Sequence, residues 1–183
     1  MSRAWCRAAA SAQTKTRSIS AANPASHARA RSSSVAVAST SNAFADAGLV
    51  NDDLVRALEA MAITTPTEIQ VKALDAVGGR GGNVFIASHT GSGKTLAYLL
   101  PVIQRLKQAE AEAGERLAKP KRPKVIVACP TRELAEQVAE VAKEVSHVAK
   151  FSSYLVVGGR RLGTQKERLD SPIDVIIGTP GRL

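Results

Sequence analysis

The sequence predicts an α/β fold, a parallel sheet flanked by helices and preceded by a disordered leader. Three observations carry that expectation. Short apolar runs such as Val84–Ala87 and Val125–Cys129 alternate with longer segments whose apolar residues recur every three or four positions, as in strands joined by crossover helices. A glycine-rich turn connects the first of these runs to a helical segment. Residues 1–43 differ from everything after them in composition.

That leader is rich in Ala and Ser and carries Arg3, Arg7, Lys15, Arg17, Arg29 and Arg31, while the first acidic residue is Asp46. Such a segment reads as an organelle transit peptide, Arg- and Ser-rich, poor in acids and too broken for a secretory signal. Its low hydrophobicity keeps it unfolded. Ala36-Val37-Ala38 followed by Ser39 offers a processing site. The serines favour a plastid and the dispersed arginines a mitochondrion; the plastid is preferred. The alternative is a plain disordered tail on a cytoplasmic or nuclear protein.

From Phe44 the elements follow in order. Leu54, Leu58 and Met61 mark one face of a helix that Asn51 caps. Thr64-Thr65-Pro66-Thr67 ends it, and Thr67 caps a second helix through Ile69, Val71 and Leu74. Gly78–Gly82 is a loop. Strand Val84–Ala87 leads through the glycine turn into a helix from Lys94 to about Lys107. Residues 109–124 read as a charged linker, most clearly Lys119–Lys124. Val125–Cys129 is continuously apolar, which predicts a strand buried on both faces. A helix over Glu133–His147, a strand over Ser153–Val157, a short helix around Gln165–Leu169 and a strand over Asp174–Ile177 complete the series.

Composition excludes several functions. At 183 residues and 44% hydrophobic content the chain holds one domain plus a tail. No stretch approaches the ~18 apolar residues of a membrane span, so no membrane partner is expected, and no obligate protein partner is inferred. Cys6 and Cys129 form no CxxC pair and the three histidines are scattered, which leaves no cysteine- or histidine-ligated metal and points to a reducing compartment. The net charge of +9 overstates the basicity of the folded part, because residues 1–45 hold six basic and no acidic residues.

Chemistry concentrates at Ser88-His89-Thr90-Gly91-Ser92-Gly93-Lys94-Thr95. A strand running into a glycine turn that closes on Gly-Lys-Thr is a phosphate-cradling loop, although the usual first glycine is Ser88 here. Gly91 and Gly93 allow close backbone approach to phosphate, and the helix N-terminus adds free N–H groups and a favourable dipole. Lys94 would reach the β- and γ-phosphates, and the Thr95 hydroxyl would ligate Mg²⁺. Two further motifs follow strands: Pro130-Thr131-Arg132-Glu133-Leu134-Ala135, where a phosphodiester could bind or Thr131 could simply cap a helix, and Thr179-Pro180-Gly181-Arg182-Leu183. Gly158-Gly159 ends another strand in the same way. Ligands of open α/β sheets gather at that edge.

Taken together and in this order, these motifs resemble the DEAD-box ATP-dependent RNA helicases. Phe44 and Pro66-Thr67-Glu68-Ile69-Gln70 are similar to the adenine-recognising Q motif of that family. The resemblance covers residues 44–183 and implies the N-terminal portion of a RecA-like ATP-binding domain. It implies that Gln70 bonds adenine, that Phe44 and Ile63 lie near the base, and that Ser88–Thr95 hold ATP with Mg²⁺ on Thr95. It further implies that Pro130, Thr131, Arg132, Gly158, Gly159, Thr179, Pro180, Gly181 and Arg182 line a single-stranded RNA backbone.

The chain departs from the family at four points, one of them a Phe44-to-Gln70 interval about one residue longer than usual. Ser88-His89 replaces the usual Ala-Gln, so His89 inherits no role, and Ala62-Ile63 replaces the usual Gly-aromatic pair. The sequence also reaches Leu183 without the Asp-Glu-Ala-Asp carboxylates or the second domain of the family, and Asp170 and Asp174 stand in no matching motif. A fragment of such a helicase that binds nucleotide without hydrolysing it is therefore expected, with exposed apolar surface where further strands would pack. The alternatives are a non-catalytic nucleotide- or RNA-binding module and, third, another P-loop nucleoside triphosphatase, which the Q-like segment disfavours.

Overall fold

The structure, a computed structural model, describes residues 17–20, 43–78, 82–159 and 161–183. The suggested processing site at Ala36–Ser39 and the glycines between 78 and 82 lie outside the described residues. The elements run β1 (Arg17–Ser20), α1 (Ala43–Asp46), α2 (Asp52–Ala60), α3 (Glu68–Gly78), β2 (Val84–Ala87), α4 (Lys94–Ala113), β3 (Val125–Ala128), α5 (Arg132–Ala149), β4 (Ser153–Val156), α6 (Leu162–Arg168) and β5 (Val175–Gly178).

All pairings between these strands are parallel. One group has the order β3-β5-β4, the other pairs β1 with β2. The central strand β5 is buried at all four residues, as its Val-Ile-Ile-Gly run requires for a strand covered on both faces. Within the leader, Arg17–Ser20 forms β1 and pairs in parallel register with Val84–Ala87.

Strand β3 corrects an expectation. Its burial alternates, and Ile126 is 63% exposed. The apolar run foretold two covered faces, but only the face of Val125 and Val127 packs on the main core, while Ile126 and Ala128 on the other face are exposed. Phe85 on β2 is likewise exposed.

Helix α4 runs six residues past the expected end at Lys107. Residues 108–113 are Gln-Ala-Glu-Ala-Glu-Ala, strong helix formers despite their charge. Gly114, at φ 67°, closes the helix in the left-handed conformation. The charged segment after it is tied down rather than free: Lys119 bridges Arg122, Pro120 bridges Pro172, and Lys121 pairs with Asp170 at 2.8 Å.

The main core gathers Phe44, Leu54, Leu58, Leu99, Leu100 and Ile103 with Val138 and Val145 of α5 and Val175 and Ile177 of β5. Asn51 caps α2, its Oδ1 accepting from Leu54 N–H. At the other end, Ile63 N–H bonds the Leu58 carbonyl and Ala62 N–H the Glu59 carbonyl, a Schellman closure with Ala62 at φ 57°. This explains why glycine is usual at that position: an L-residue with a Cβ is strained there.

Candidate nucleotide site and RNA-facing edge

The loop Ser88–Gly93 leaves the C-terminal end of β2 and enters α4 at Lys94. Gly91 and Gly93 both stand at positive φ, 80° and 83°. Space over Gly91 is open, while a Cβ on Gly93 would lie 2.6 Å from Gln70 Nε2. Lys94 folds back on the loop, donating to the Ser88 carbonyl at 3.0 Å and to the His89 carbonyl. The Ser88 and Ser92 hydroxyls bond each other, so the serine replacing the usual first glycine closes the loop with a side-chain bridge. His89 and Thr90 are exposed.

The Q-like segment is fastened to this loop. Gln70 is 3% exposed. Its Oε1 accepts from Thr67 N–H at 2.9 Å and its Nε2 donates to the Gly93 carbonyl at 3.2 Å. The Thr67 hydroxyl donates to the Ser92 carbonyl at 3.0 Å. Thr67 and Gln70 thus form half of a capping box, the side chain of the third helical residue returning to the cap N–H. No backbone N–H of the first turn of α3 donates to the Thr67 hydroxyl, which is turned toward the loop to reach the Ser92 carbonyl. One Nε2 hydrogen and one Oε1 lone pair of Gln70 remain for another partner.

A cavity of about 290 Å³ opens where these parts meet, lined by Thr67, Glu68, Ile69, Ser88, His89, Gly91 and Ser92. Thr67, Glu68 and Ile69 belong to the Q-like segment read from the sequence, which gave a binding role to Gln70 alone among its residues. Three residues expected at the base, Gln70, Phe44 and Ile63, are absent from its lining. Phe44 is 1% exposed inside the main core and Ile63 packs against that core, so apolar burial claims both side chains.

Strands β3, β5 and β4 end side by side, with Ala128 opposite Gly178 and Val156 opposite Gly178. Pro130–Arg132, Thr179–Arg182 and Gly158-Gly159 therefore leave one sheet edge in adjacent positions, at strand spacings of about 4.8 Å. Arg132 lies against Gly159, where an added Cβ would stand 2.9 Å from its Nη1. Its Nε donates to Glu136 at 3.0 Å. Gly178 was not picked from the sequence, yet a Cβ there would meet the Val156 carbonyl at 2.2 Å. Thr131 does cap α5, its Oγ1 accepting from Leu134 N–H at 3.3 Å, which leaves its hydroxyl hydrogen to donate outward. Thr131, Arg132, Pro180 and Gly181 are exposed.

Asp174, outside every motif, is 1% exposed at the opposite edge. It accepts from Arg116 Nη2 at 2.6 Å and from Ser152 N–H at 2.7 Å. Burial alone would push its carboxyl up, but the Arg116 guanidinium and the Ser152 donors outweigh that and hold it below the usual range. It is a structural clamp that ties the segment after α4 to the starts of β4 and β5.

Residues 67–183 match the family model described as DEAD/DEAH box helicase. The chain belongs to that family. DEAD-box ATP-dependent RNA helicase 39 of Arabidopsis thaliana is 47% identical over 140 residues, 76% of this chain and 22% of the relative. DEAD-box ATP-dependent RNA helicase 50 of the same plant is 44% identical over 141 residues, 76% of this chain and 18% of the relative. The chain thus spans about a fifth of the length of these curated relatives. Among solved structures, Saccharomyces cerevisiae Dbp5 bound to RNA and ADP BeF3 superposes with TM-score 0.62 at 29% identity, covering 78% of this chain and 33% of that one. A hypothetical ATP-dependent RNA helicase from Sulfolobus tokodaii gives TM-score 0.58 at 28% identity over 73% of this chain and 35% of that one. These neighbours bear out the expected RecA-like helicase fold with its parallel sheet and flanking helices.

Proposed function

We propose that this chain supplies the ATP-grasping and RNA-backbone-facing part of an ATP-dependent RNA helicase that remodels RNA. The observation that carries the reading is the joint between the Q-like helix and the phosphate loop, where Gln70 and Thr67 bond the carbonyls of Gly93 and Ser92 beside a cavity. An adenine held at Gln70 and phosphates held at Gly91–Thr95 would be read by one connected unit. The positive-φ glycines, the open space over Gly91 and the N-terminus of α4 suit the chemistry of a polyphosphate.

In this reading Lys94 exchanges its two loop carbonyls for phosphate oxygens. The Thr95 hydroxyl, at the first turn of α4, is the residue that would hold Mg²⁺, which neutralises charge on the β- and γ-phosphates. Gln70 orients the base through its remaining donor and acceptor. Thr131, Arg132, Gly158, Gly159 and Thr179–Arg182 offer N–H groups, a hydroxyl and guanidinium charge to successive phosphodiesters, contacts that position a strand without reading its bases.

The 183 residues include no Asp-Glu-Ala-Asp run. A polypeptide of this sequence is therefore expected to bind nucleotide and RNA, with negligible hydrolysis. Residues 1–43 are proposed to direct the protein to an organelle, a plastid before a mitochondrion. Binding of a fluorescent single-stranded RNA, with and without ATP, tests the edge assignment. Arg132→Ala should weaken RNA binding similarly for unrelated sequences and lower its salt dependence; unchanged affinity would remove that edge from the RNA path.

A further inference from the structure

We propose that the hairpin Lys119–Lys124 and the last turn of α6 form a second site for RNA backbone, continuing the path that leaves the sheet edge at Gly158-Gly159. The inference rests on the reading above that this edge takes single-stranded RNA. Sequence alone makes 119–124 a charged linker, but the fold builds it into a fixed array. Lys121 N–H bonds the Leu169 carbonyl at 2.9 Å, Arg122 N–H the Lys119 carbonyl at 2.9 Å, and Lys124 N–H the Asp174 carbonyl at 3.0 Å. Pro120 bridges Pro172. These contacts set the hairpin beside the last turn of α6, which carries Lys166 and Arg168. A cavity of about 370 Å³ is lined by Lys121 from the hairpin and by Lys166, Glu167, Leu169 and Asp170 from α6 and the turn after it.

Lys119, Lys121, Arg122, Lys124, Lys166 and Arg168 are all exposed. Lys121 is paired with Asp170 at 2.8 Å; the other five make no ion pair among the described residues. Glu167 is the one carboxylate left over in residues 119–124 and 166–170. Self-repulsion among these cations costs stability unless a polyanion neutralises them. The two segments contain no aromatic residue, so they lack the anchors that dominate protein interfaces and the platforms on which unpaired bases stack. Point charges on a pinned backbone suit phosphodiesters, which are held without reading bases. Position supports the same partner. Helix α6 starts at Leu162, three residues after Gly159, and its seven residues span roughly 10 Å. A strand passing Gly158-Gly159 therefore reaches the array within one helix length.

The test compares a short single-stranded RNA, long enough for the edge alone, with a longer one of the same unstructured sequence, both titrated on the full chain at several salt concentrations. The variant Lys119→Gln/Arg122→Gln/Lys166→Gln/Arg168→Gln removes four of the unpaired cations. For the long RNA its slope of log affinity against log salt should flatten by about 3, the release from four single-strand phosphates at roughly 0.7 each. The short RNA should bind as it does to wild type. A control, Arg56→Gln/Arg105→Gln/Lys143→Gln/Lys150→Gln, loses the same charge from other exposed positions and should leave both RNAs close to wild type. A wild-type slope in the first variant overturns the proposal, as does an equal loss in the control. Polyglutamate that binds more tightly than RNA, and is lost in the first variant, would overturn it in favour of an acidic protein partner. Cations that serve only the dipole of α6 would lower the melting temperature and weaken both RNAs together, which also overturns it. Arg132→Ala that leaves the short RNA untouched would refute the edge reading, whereas the array stands or falls on the long-RNA slope.

Discussion

Alanine at Gly91 and at Gly93 should have unequal effects, and the difference measures the joint between the Q-like helix and the phosphate loop. Both glycines stand near φ 80°, so each substitution carries the left-handed strain of an L-residue, roughly 1–2 kcal/mol. At Gly91 a Cβ would meet nothing within 4 Å, and the cost ends there. At Gly93 it would stand 2.6 Å from Gln70 Nε2 and force that amide away. The bonds from Thr67 N–H to Gln70 and from Gln70 to the Gly93 carbonyl would then break. Each is worth about 1 kcal/mol net, and more if the buried amide finds no new partner. Gly93→Ala should therefore lose about 3–4 kcal/mol against about 1–2 for Gly91→Ala, measured by urea unfolding. Gln70→Ala should narrow that gap by removing the atom struck. Equal losses at the two glycines, or a gap indifferent to Gln70→Ala, would refute the joint.

Two further outcomes follow from geometry away from the loop. Ala62→Gly relieves the φ 57° strain at the Schellman closure of α2 and should stabilise by about 1 kcal/mol in the same unfolding assay. Asp174 contributes stability that is present above its unfolded value near 3.9 and is lost as pH falls through its lower folded value. Asp174→Asn should thus lower stability by about 2 kcal/mol at pH 7, with the deficit closing below about pH 4.

The sequence displayed the site more fully than the sheet around it. Glycine spacing and a Gly-Lys-Thr close are local chemistry, and the loop, its strand and its helix appear where they indicate. The three edge motifs were likewise legible because each follows a strand. The open face of β3 was not legible, since an apolar run cannot report whether anything packs over both faces. An aromatic near a binding motif also suits a core, and the core holds Phe44. The double use of Thr67, cap N–H toward Gln70 and hydroxyl toward Ser92, depends on a contact across 25 residues. Strand β1 carries one apolar residue, Ile19, too little periodicity to announce a strand.

Competition binding tests the central claim most directly: ATP, GTP, CTP and UTP, each with Mg²⁺, displacing a fluorescent ATP analogue from wild-type protein and from Gln70→Ala. Wild type should prefer ATP by about tenfold or more, as expected where a site bonds a base edge at a cost of 1–3 kcal/mol for the wrong partner. Gln70→Ala should lose most of that preference while keeping phosphate-dependent binding, and Lys94→Ala should lose binding of all four. An ATP preference that survives Gln70→Ala unchanged would contradict the account.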